Sequence, residues 1–176
     1  MKSTRLSSSL VIIFLCLICY AAVPTLSLKL YEIVCHEASR DQDICVKFLS
    51  GDYKIVGATN YHDLSKYILD LTIYEATAVQ EYFTSIAQKL PSTAIRKCVN
   101  IFYNKAIDTL SRAMDELNNN PNYAKDDAKY AGDRVVDCDN GLQKQGIKYD
   151  PEVHDKNLEI SALCEISFLA IKHLIT

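Results

Sequence analysis

The chain has 176 residues, of which 49% are hydrophobic and 23% are charged, and it contains five glycines, four prolines and no tryptophan. This length and composition are those of one ordinary globular domain. The formal net charge is −3 at pH 7 and the lysines and arginines do not cluster. The charge pattern therefore excludes the electrostatic footprint of a nucleic-acid binder or of a protein that binds anionic membranes.

Residues 1–27 have the pattern of a secretory signal peptide. Two basic residues precede an apolar run from Leu10 to Cys19, small residues follow around Ala22 and Ser27, and no residue is acidic. The apolar run is too short for a comfortable membrane span. We therefore expect a secreted mature chain that begins near Leu28 and has no membrane segment. That chain carries 17 Lys and Arg against 22 Asp and Glu, a formal charge of −5.

Five cysteines remain after removal of the signal peptide. An odd number in an oxidising secretory route indicates two disulfides and one free thiol, and composition alone leaves the pairing open. Cys35 and Cys45 flank a polar turn in a segment of helical character from Leu28 to Ser50. These two cysteines pair most naturally with each other.

From Asn60 onward the sequence predicts four long amphipathic helices, because apolar residues recur in steps of three and four. A side chain able to cap free amides precedes each helix, at Asn60, Ser92, Asn120 and Asp150. The predicted inward positions are Leu64, Ile68, Leu71, Tyr74, Ala78, Tyr82 and Ile86 in the first helix; Ile95, Val99, Phe102, Ala106, Leu110, Ala113 and Leu117 in the second; Ala124, Ala128, Ala131, Val135, Cys138 and Leu142 in the third; and Ile160, Leu163, Ser167, Phe168, Ile171 and Leu174 in the fourth. Short turns join the helices and no segment alternates with period two, so we predict an all-α fold, an antiparallel four-helix bundle over residues 58–176.

Helical register favours a second disulfide between Cys98 and Cys138. The second and third helices meet at residues 118–120, so positions equally distant from this turn face each other in an antiparallel pair. Both cysteines lie about 20 residues from the turn, and both belong to the predicted apolar faces. Cys164 remains as the free thiol, and we expect it to be buried and inert.

The sequence predicts neither a metal site nor a cofactor site. The four histidines lack the spacing of metal ligands. The adjacent carboxylates of Asp126 and Asp127 diverge by about 100° on a helix, which disfavours a general acid/base pair. We therefore expect a binding protein, not an enzyme.

The four paired cysteines and the four long helices resemble the plant invertase and pectin methylesterase inhibitors over essentially the whole mature chain. The stretches that carry this resemblance are Cys35 and Cys45 with Val46-Lys47-Phe48-Leu49, Lys97-Cys98-Val99, Asp137-Cys138-Asp139 and the apolar last helix. The resemblance implies an inhibitor domain over residues 28–176, with a helical hairpin (28–55) set against the bundle and the same two disulfides.

The resemblance also implies a site that binds the target enzyme. Invertase inhibitors carry a Pro-Lys-Phe motif at the start of the third bundle helix, which enters the active site of the glycosidase. The matching residues here are Pro121, Asn122 and Tyr123, with Asn122 in place of the lysine and Lys125 one turn further on. The resemblance thus implies that these residues, with Lys125 as an auxiliary, insert into the cleft of an acid invertase.

Two other functions stay open at this point. One is inhibition of pectin methylesterase, and the other is a secreted helical protein that keeps the scaffold without inhibiting, such as a carrier of small ligands. The expected location is the apoplast or cell wall, with the vacuole as the alternative.

Overall fold

The computed structural model describes residues 28–90, 92–145 and 151–175, so the predicted signal peptide lies outside the described residues. The described residues form helices and connecting turns, which confirms the predicted all-α fold. The helices are α1 Leu30–Glu37, a 3₁₀ turn Ser39–Asp41, α2 Gln42–Leu49, α3 Tyr53–Val56, α4 Tyr61–Lys89, α5 Thr93–Lys97, a π-helical segment Cys98–Tyr103, α6 Asn104–Glu116, α7 Pro121–Lys144 and α8 Pro151–Lys172.

Two of the predicted helix starts are capped by the expected side chain. Asn60 Oδ1 accepts a hydrogen bond from the backbone N–H of Asp63 at 2.9 Å, and Ser92 Oγ accepts from Ala94 N–H at 3.2 Å. The Asn120 side chain makes no such bond at the start of α7, and Asp150 lies outside the described residues. A side-chain cap contributes about 1 kcal/mol. The start of α7 relies instead on Pro121, whose fixed φ suits a first helical position.

The bundle consists of four consecutive antiparallel helices, namely α4, the continuous run α5–π–α6, α7 and α8. The second of these packs against α4 and α7, and α8 packs against α7 and α4, so the four enclose one core. All six predicted inward positions of α7 are buried, which confirms that face. The largest fully buried side chains include Phe83, Tyr103, Leu110 and Leu163.

Helices α7 and α8 approach closely because small residues line the buried face of α7. A Cβ atom placed at Gly132 would lie 3.1 Å from Cys164 Cβ on α8. This is closer than side-chain carbons normally approach, so the absence of a side chain at Gly132 permits the contact.

The inward face of α4 differs from the predicted one. Tyr74 is 70% exposed and Ala78 is exposed as well, so their predicted inward placement is wrong. Thr72 is buried instead, because its Oγ1 donates to the Ile68 carbonyl at 2.8 Å and lies 3.0 Å from Ser167 Oγ on α8. A polar residue whose hydrogen bonds are satisfied is stable in the core. A prediction based on the spacing of apolar residues does not include such a residue. The remaining buried residues of this half of α4 are Ala76, Val79 and Phe83.

The second bundle helix contains a π-helical turn that the sequence pattern does not predict. Gln80 of α4 donates from Nε2 to the Val99 carbonyl oxygen at 2.9 Å and also contacts Asn104 Oδ1. A π turn widens the backbone by one residue and disturbs the regular hydrogen bonds. The Gln80 side chain compensates by satisfying a carbonyl group within the π segment.

The disulfides join Cys35 to Cys45 and Cys98 to Cys138, which are the pairs favoured by the sequence. The first links α1 to α2, and the second links the π-helical segment to α7. Cys164 is free and buried. Among the described helices, none has both the length and the apolar character needed to cross a bilayer.

The hairpin of α1 and α2 packs against α8 and the start of α4. Lys47 forms an ion pair with Glu159, and Glu37 Oε1 lies 2.8 Å from His173 Nε2. The His173 ring stacks on Tyr61 with the ring centroids 4.1 Å apart. Apolar side chains continue the bundle core into the hairpin and α3, namely Tyr31, Val34, Leu49 and Ile55.

Candidate functional site

The turn between α6 and α7, together with the first residues of α7, forms the bundle tip, which we define as residues 118–123. The backbone N–H groups of Asn119 and Asn120 donate to the Glu116 carbonyl at 3.1 and 2.8 Å. His62 Nε2 of α4 lies 2.6 Å from Asn118 Oδ1. The tip is therefore held both by its own backbone and by the neighbouring helix.

The predicted target-binding residues Pro121, Asn122 and Tyr123 lie together at the surface of this tip. Asn122 is exposed and Tyr123 is 65% exposed, while Pro121 is partly covered. Their backbone belongs to the first turn of a helix of 24 residues. Since no side chain of Asn120 caps this helix, the first-turn N–H groups are left to solvent or to a partner.

The cationic side chains near the tip are directed to carboxylates of α7. Lys125 Nζ lies 3.6 Å from Asp126 Oδ1, and the Lys125 side chain is only 24% exposed. Arg112 of α6 donates from Nε and from one terminal nitrogen to the two Asp127 oxygens, each at 2.6 Å, and this bond raises the pKa of Arg112. At positions 122 and 123 the tip exposes a side-chain amide and a phenol ring.

The neighbouring carboxylates of Asp126 and Asp127 contact different cations. One carboxylate faces Lys125 on its own helix and the other binds Arg112 on the neighbouring helix. In the described part of the chain, no group of three or more His, Cys, Asp or Glu residues is arranged to hold a metal ion.

The free thiol is inaccessible. Cys164 is fully buried between α7 and α8, and this burial, with a smaller contribution from Glu165, raises the pKa of the thiol to about 12. A nucleophilic cysteine needs the opposite conditions, a lowered pKa and access to solvent. Cys35 is bonded to Cys45 and offers no thiol.

A buried polar network lies at the opposite end of the bundle from the tip. Tyr103 Oη donates to Asn157 Oδ1 at 2.8 Å, and Asn157 Nδ2 donates to Asp139 Oδ1 at 3.2 Å. His154 Nδ1 lies 3.2 Å from the same carboxylate oxygen. Burial raises the pKa of Tyr103 well above its usual range, with smaller effects from Cys164 and Asp139. Because Tyr103 and Asn157 are shielded from solvent, the network stabilises the junction of α7 and α8 and does not form an open site.

Sequence reasoning did not identify His62 as part of the tip. The histidine lies 56 residues before Asn118, and it carries no motif that would relate it to that turn. The contact arises because antiparallel helices bring the start of α4 beside the end of α6.

Comparison with known proteins gives a family and a fold. The family model for plant invertase/pectin methylesterase inhibitors matches residues 29–171. Among solved structures, the chain is similar to the crystal structure of mutant form A of a pectin methylesterase inhibitor from Arabidopsis. That similarity has a TM-score of 0.71 at 23% identity and covers 82% of this chain and 97% of the other. No curated protein matches the chain.

Proposed function

Because this chain belongs to the plant invertase/pectin methylesterase inhibitor family, we propose that it inhibits a plant acid invertase by placing the bundle tip in the active-site cleft. The observation that carries this proposal is the exposed Tyr123 at the start of a long, well-supported helix. A ring held on a rigid helix loses little conformational freedom on binding, and tyrosine is among the residues that most often dominate protein interfaces.

The start of α7 also suits the electrostatics of such a target. Glycosidases place two carboxyl groups beside the scissile bond. The amino-terminal end of a helix carries a partial positive charge, and its first N–H groups are donors. Asn122 adds an exposed side-chain amide beside them. The tip can therefore donate hydrogen bonds to carboxylates without a lysine, although more weakly than a charged donor would.

The second candidate target is pectin methylesterase. The same family includes its inhibitors, and the similar solved structure is one of them. Both targets are consistent with a noncatalytic chain that the secretory route delivers to the cell wall, or to the vacuole in the case of an invertase. Fluorescence microscopy of the full chain fused at its carboxyl end to a fluorescent protein tests this location.

Two parallel assays test the proposed target. The chain from Leu28 onward, with both disulfides formed, is added in excess to an acid invertase at pH 5 and sucrose hydrolysis is measured. Methanol release from methylated pectin is measured with a pectin methylesterase. We expect the rate of sucrose hydrolysis to fall and methanol release to be unchanged. An unchanged rate of sucrose hydrolysis removes the proposal for that invertase, and loss of methanol release alone favours the second target.

A tyrosine substitution tests the proposed contact. Tyr123→Ala is expected to weaken inhibition about 10- to 30-fold, the usual effect of removing an interface aromatic that contributes strongly to binding. Tyr74→Ala is the matched control, because Tyr74 is equally exposed and lies about 20 Å along α4 from the start of that helix. Equal inhibition by both variants would place the contact elsewhere on the molecule.

A further inference from the structure

The outer side of α4 carries an apolar stripe that the bundle covers only in part. Tyr67, Leu71, Tyr74 and Ala78 follow helical spacing, yet Tyr74 and Ala78 are exposed and Tyr67 and Leu71 are only half-buried. A stripe at this spacing ordinarily faces a core. In this fold Tyr67 and Leu71 pack partly against the core, whereas Tyr74 and Ala78 remain available to a partner.

Helix α3 extends this stripe into a wider surface. α3 is fixed on the bundle by the buried Ile55, while Tyr53 in the same helix is 81% exposed. Two open depressions of about 510 and 280 Å³ lie beside α3 and α4, and the end of α2 also lines the larger one. Tyr53 lines the first, Tyr74 lines the second, and Leu71 lines both. We call this region the Tyr53–Tyr74 surface.

The two outer rings of this surface have free faces. The inner ring of Tyr67 is approached by Lys54 and Lys66, with the ammonium groups 6.0 and 5.7 Å from the ring centroid. In the described part of the chain, neither Tyr53 nor Tyr74 stacks on another ring or under a cation. Their rings can therefore stack on an added flat, weakly polar group.

The charges around the depressions are of both signs and are mostly paired within the chain. Lys47 pairs with Glu159. Lys66 Nζ lies 3.6 Å from Asp70 Oδ2. Asp52 already accepts hydrogen bonds from backbone N–H groups at the start of α3. Lys54 and Glu75 also line the depressions and add one charge of each sign, so the charges of this surface nearly cancel. Neither a polyanion nor a polycation would find a surface of predominantly opposite charge here. The donors and acceptors together fit an uncharged ligand rich in hydroxyl groups.

We propose that the Tyr53–Tyr74 surface binds a neutral polysaccharide chain. Sugar rings have C–H faces that stack on tyrosine and hydroxyl edges that exchange hydrogen bonds with lysine and carboxylate groups. Two exposed rings beside adjoining open depressions fit a linear chain of several sugars. This surface is separate from the bundle tip, so polysaccharide binding does not depend on the proposed inhibition.

Affinity gel electrophoresis tests the proposal. The chain from Leu28 onward is run through native gels that contain one of a panel of soluble neutral wall polysaccharides, or polygalacturonate at low and high salt. We expect retardation by at least one neutral polysaccharide that is insensitive to salt. Tyr53→Ala and Tyr74→Ala should each weaken it about three- to tenfold, and the double variant should abolish it.

Tyr123→Ala is the matched control, because it removes an exposed ring outside this surface. This variant should inhibit more weakly, as predicted above, and keep its retardation. The double variant at Tyr53 and Tyr74 should keep inhibition and lose retardation. Circular dichroism checks that all variants are folded. The absence of retardation by every neutral polysaccharide overturns the proposal, as does retardation that survives in the double variant. Two further results would assign the surface to another occupant and so overturn the proposal. One is salt-sensitive retardation by polygalacturonate alone, and the other is a dimer, seen in sedimentation, that the double variant disrupts.

Discussion

Asn122 determines how much charge the bundle tip offers to a partner. Two cations of this region, Lys125 and Arg112, lie beside the carboxylates of Asp126 and Asp127. A hydrogen bond from a charged donor contributes about 1.5–3 kcal/mol, against about 1 kcal/mol for a neutral amide. The affinity of the tip for a carboxylate-lined cleft is therefore limited at this one position.

Asn122→Lys is expected to strengthen inhibition of acid invertase about tenfold, because it adds a charged donor to an exposed and already ordered position. The measurement is the inhibition constant for sucrose hydrolysis at pH 5. Asn140→Lys controls for the change in net charge, since Asn140 is exposed on the same helix, 18 residues beyond Asn122. If the native chain does not inhibit and Asn122→Lys does, the native protein is a scaffold that has lost inhibition. Equal effects of the two lysines would contradict a specific role for position 122.

The buried thiol of Cys164 makes stability depend on alkaline pH. Its pKa is about 12 in the folded chain against an ordinary value of 9.0. As the pH rises above about 9, the unfolded chain releases this proton while the folded chain keeps it. The free energy of unfolding should therefore fall between pH 9 and 12, and it should fall less in Cys164→Ala. Urea unfolding at pH 8 and pH 10 measures the difference.

The same burial predicts that a thiol reagent leaves the folded mature chain unmodified. Ellman's reagent at pH 8 should detect no thiol in the native protein and one thiol in urea with the disulfides intact. Ser111→Cys, which adds a thiol at an exposed position of α6, is the positive control. Reaction of the native chain at the rate of this control would show that the α7–α8 contact opens readily.

At the scale of elements, every inward position that helical periodicity predicts for α7 is buried, whereas for α4 only some of the predicted positions are buried. The buried face of α7 consists of alanines, a glycine, a valine, a cysteine and a leucine. The apolar residues recognised from the sequence are therefore the residues that are buried. In α4 the two diverge, because Thr72 is satisfied by Ile68 and Ser167 and lies in the core, whereas Tyr74 lies outside. Whether a hydroxyl finds a partner depends on a distant helix, and local spacing carries no information about it.

At the tip, too, some features follow from the local sequence and others depend on contacts with distant helices. The family motif places Pro121, Asn122 and Tyr123 at a helix start, and that placement is local in sequence. The support from His62 and the pairing of Arg112 with Asp127 require the antiparallel arrangement of three helices. The π-helical turn beside Cys98 likewise depends on Gln80 of α4. Each of these features is a tertiary contact that sequence spacing alone does not specify.

The close approach of α7 and α8 makes the two glycines of α7 respond differently to the same substitution. Gly→Ala in a helix gains about 1 kcal/mol from propensity. At Gly141 nothing lies within 4 Å of an added Cβ, whereas at Gly132 Cys164 Cβ lies at 3.1 Å, and overpacking costs about 1–3 kcal/mol. We expect Gly141→Ala to raise the free energy of unfolding and Gly132→Ala to lower it. Urea unfolding of both variants is the measurement, and a gain at both positions would mean that α8 can shift without cost.

At the scale of the whole molecule, the bundle has two ends with different constraints. At one end the tip is held by hydrogen bonds and by His62, next to the docked α1–α2 hairpin. At the other end the Cys98–Cys138 disulfide joins the second and third bundle helices, near the buried network of Tyr103 and Asn157. A helix rises about 1.5 Å per residue and Cys138 lies 16 residues beyond Asn122 on α7, so the disulfide lies about 25 Å from the tip. The Cys98–Cys138 disulfide and the proposed target contact thus lie at opposite ends of the bundle.

This separation predicts that removing the Cys98–Cys138 disulfide affects stability without affecting inhibition. The bond closes a loop of 40 residues, and its loss in Cys98→Ala with Cys138→Ala should lower the free energy of unfolding by about 4 kcal/mol, against about 3 kcal/mol for the Cys35–Cys45 bond in the hairpin. Well below its melting temperature, the variant should inhibit within about twofold of the native chain, because the loss acts mainly on the unfolded state. Thermal unfolding and the inhibition constant, measured on one preparation, test both parts. A large loss of inhibition in a variant that is fully folded by circular dichroism would show instead that the far end of the bundle controls the geometry of the tip.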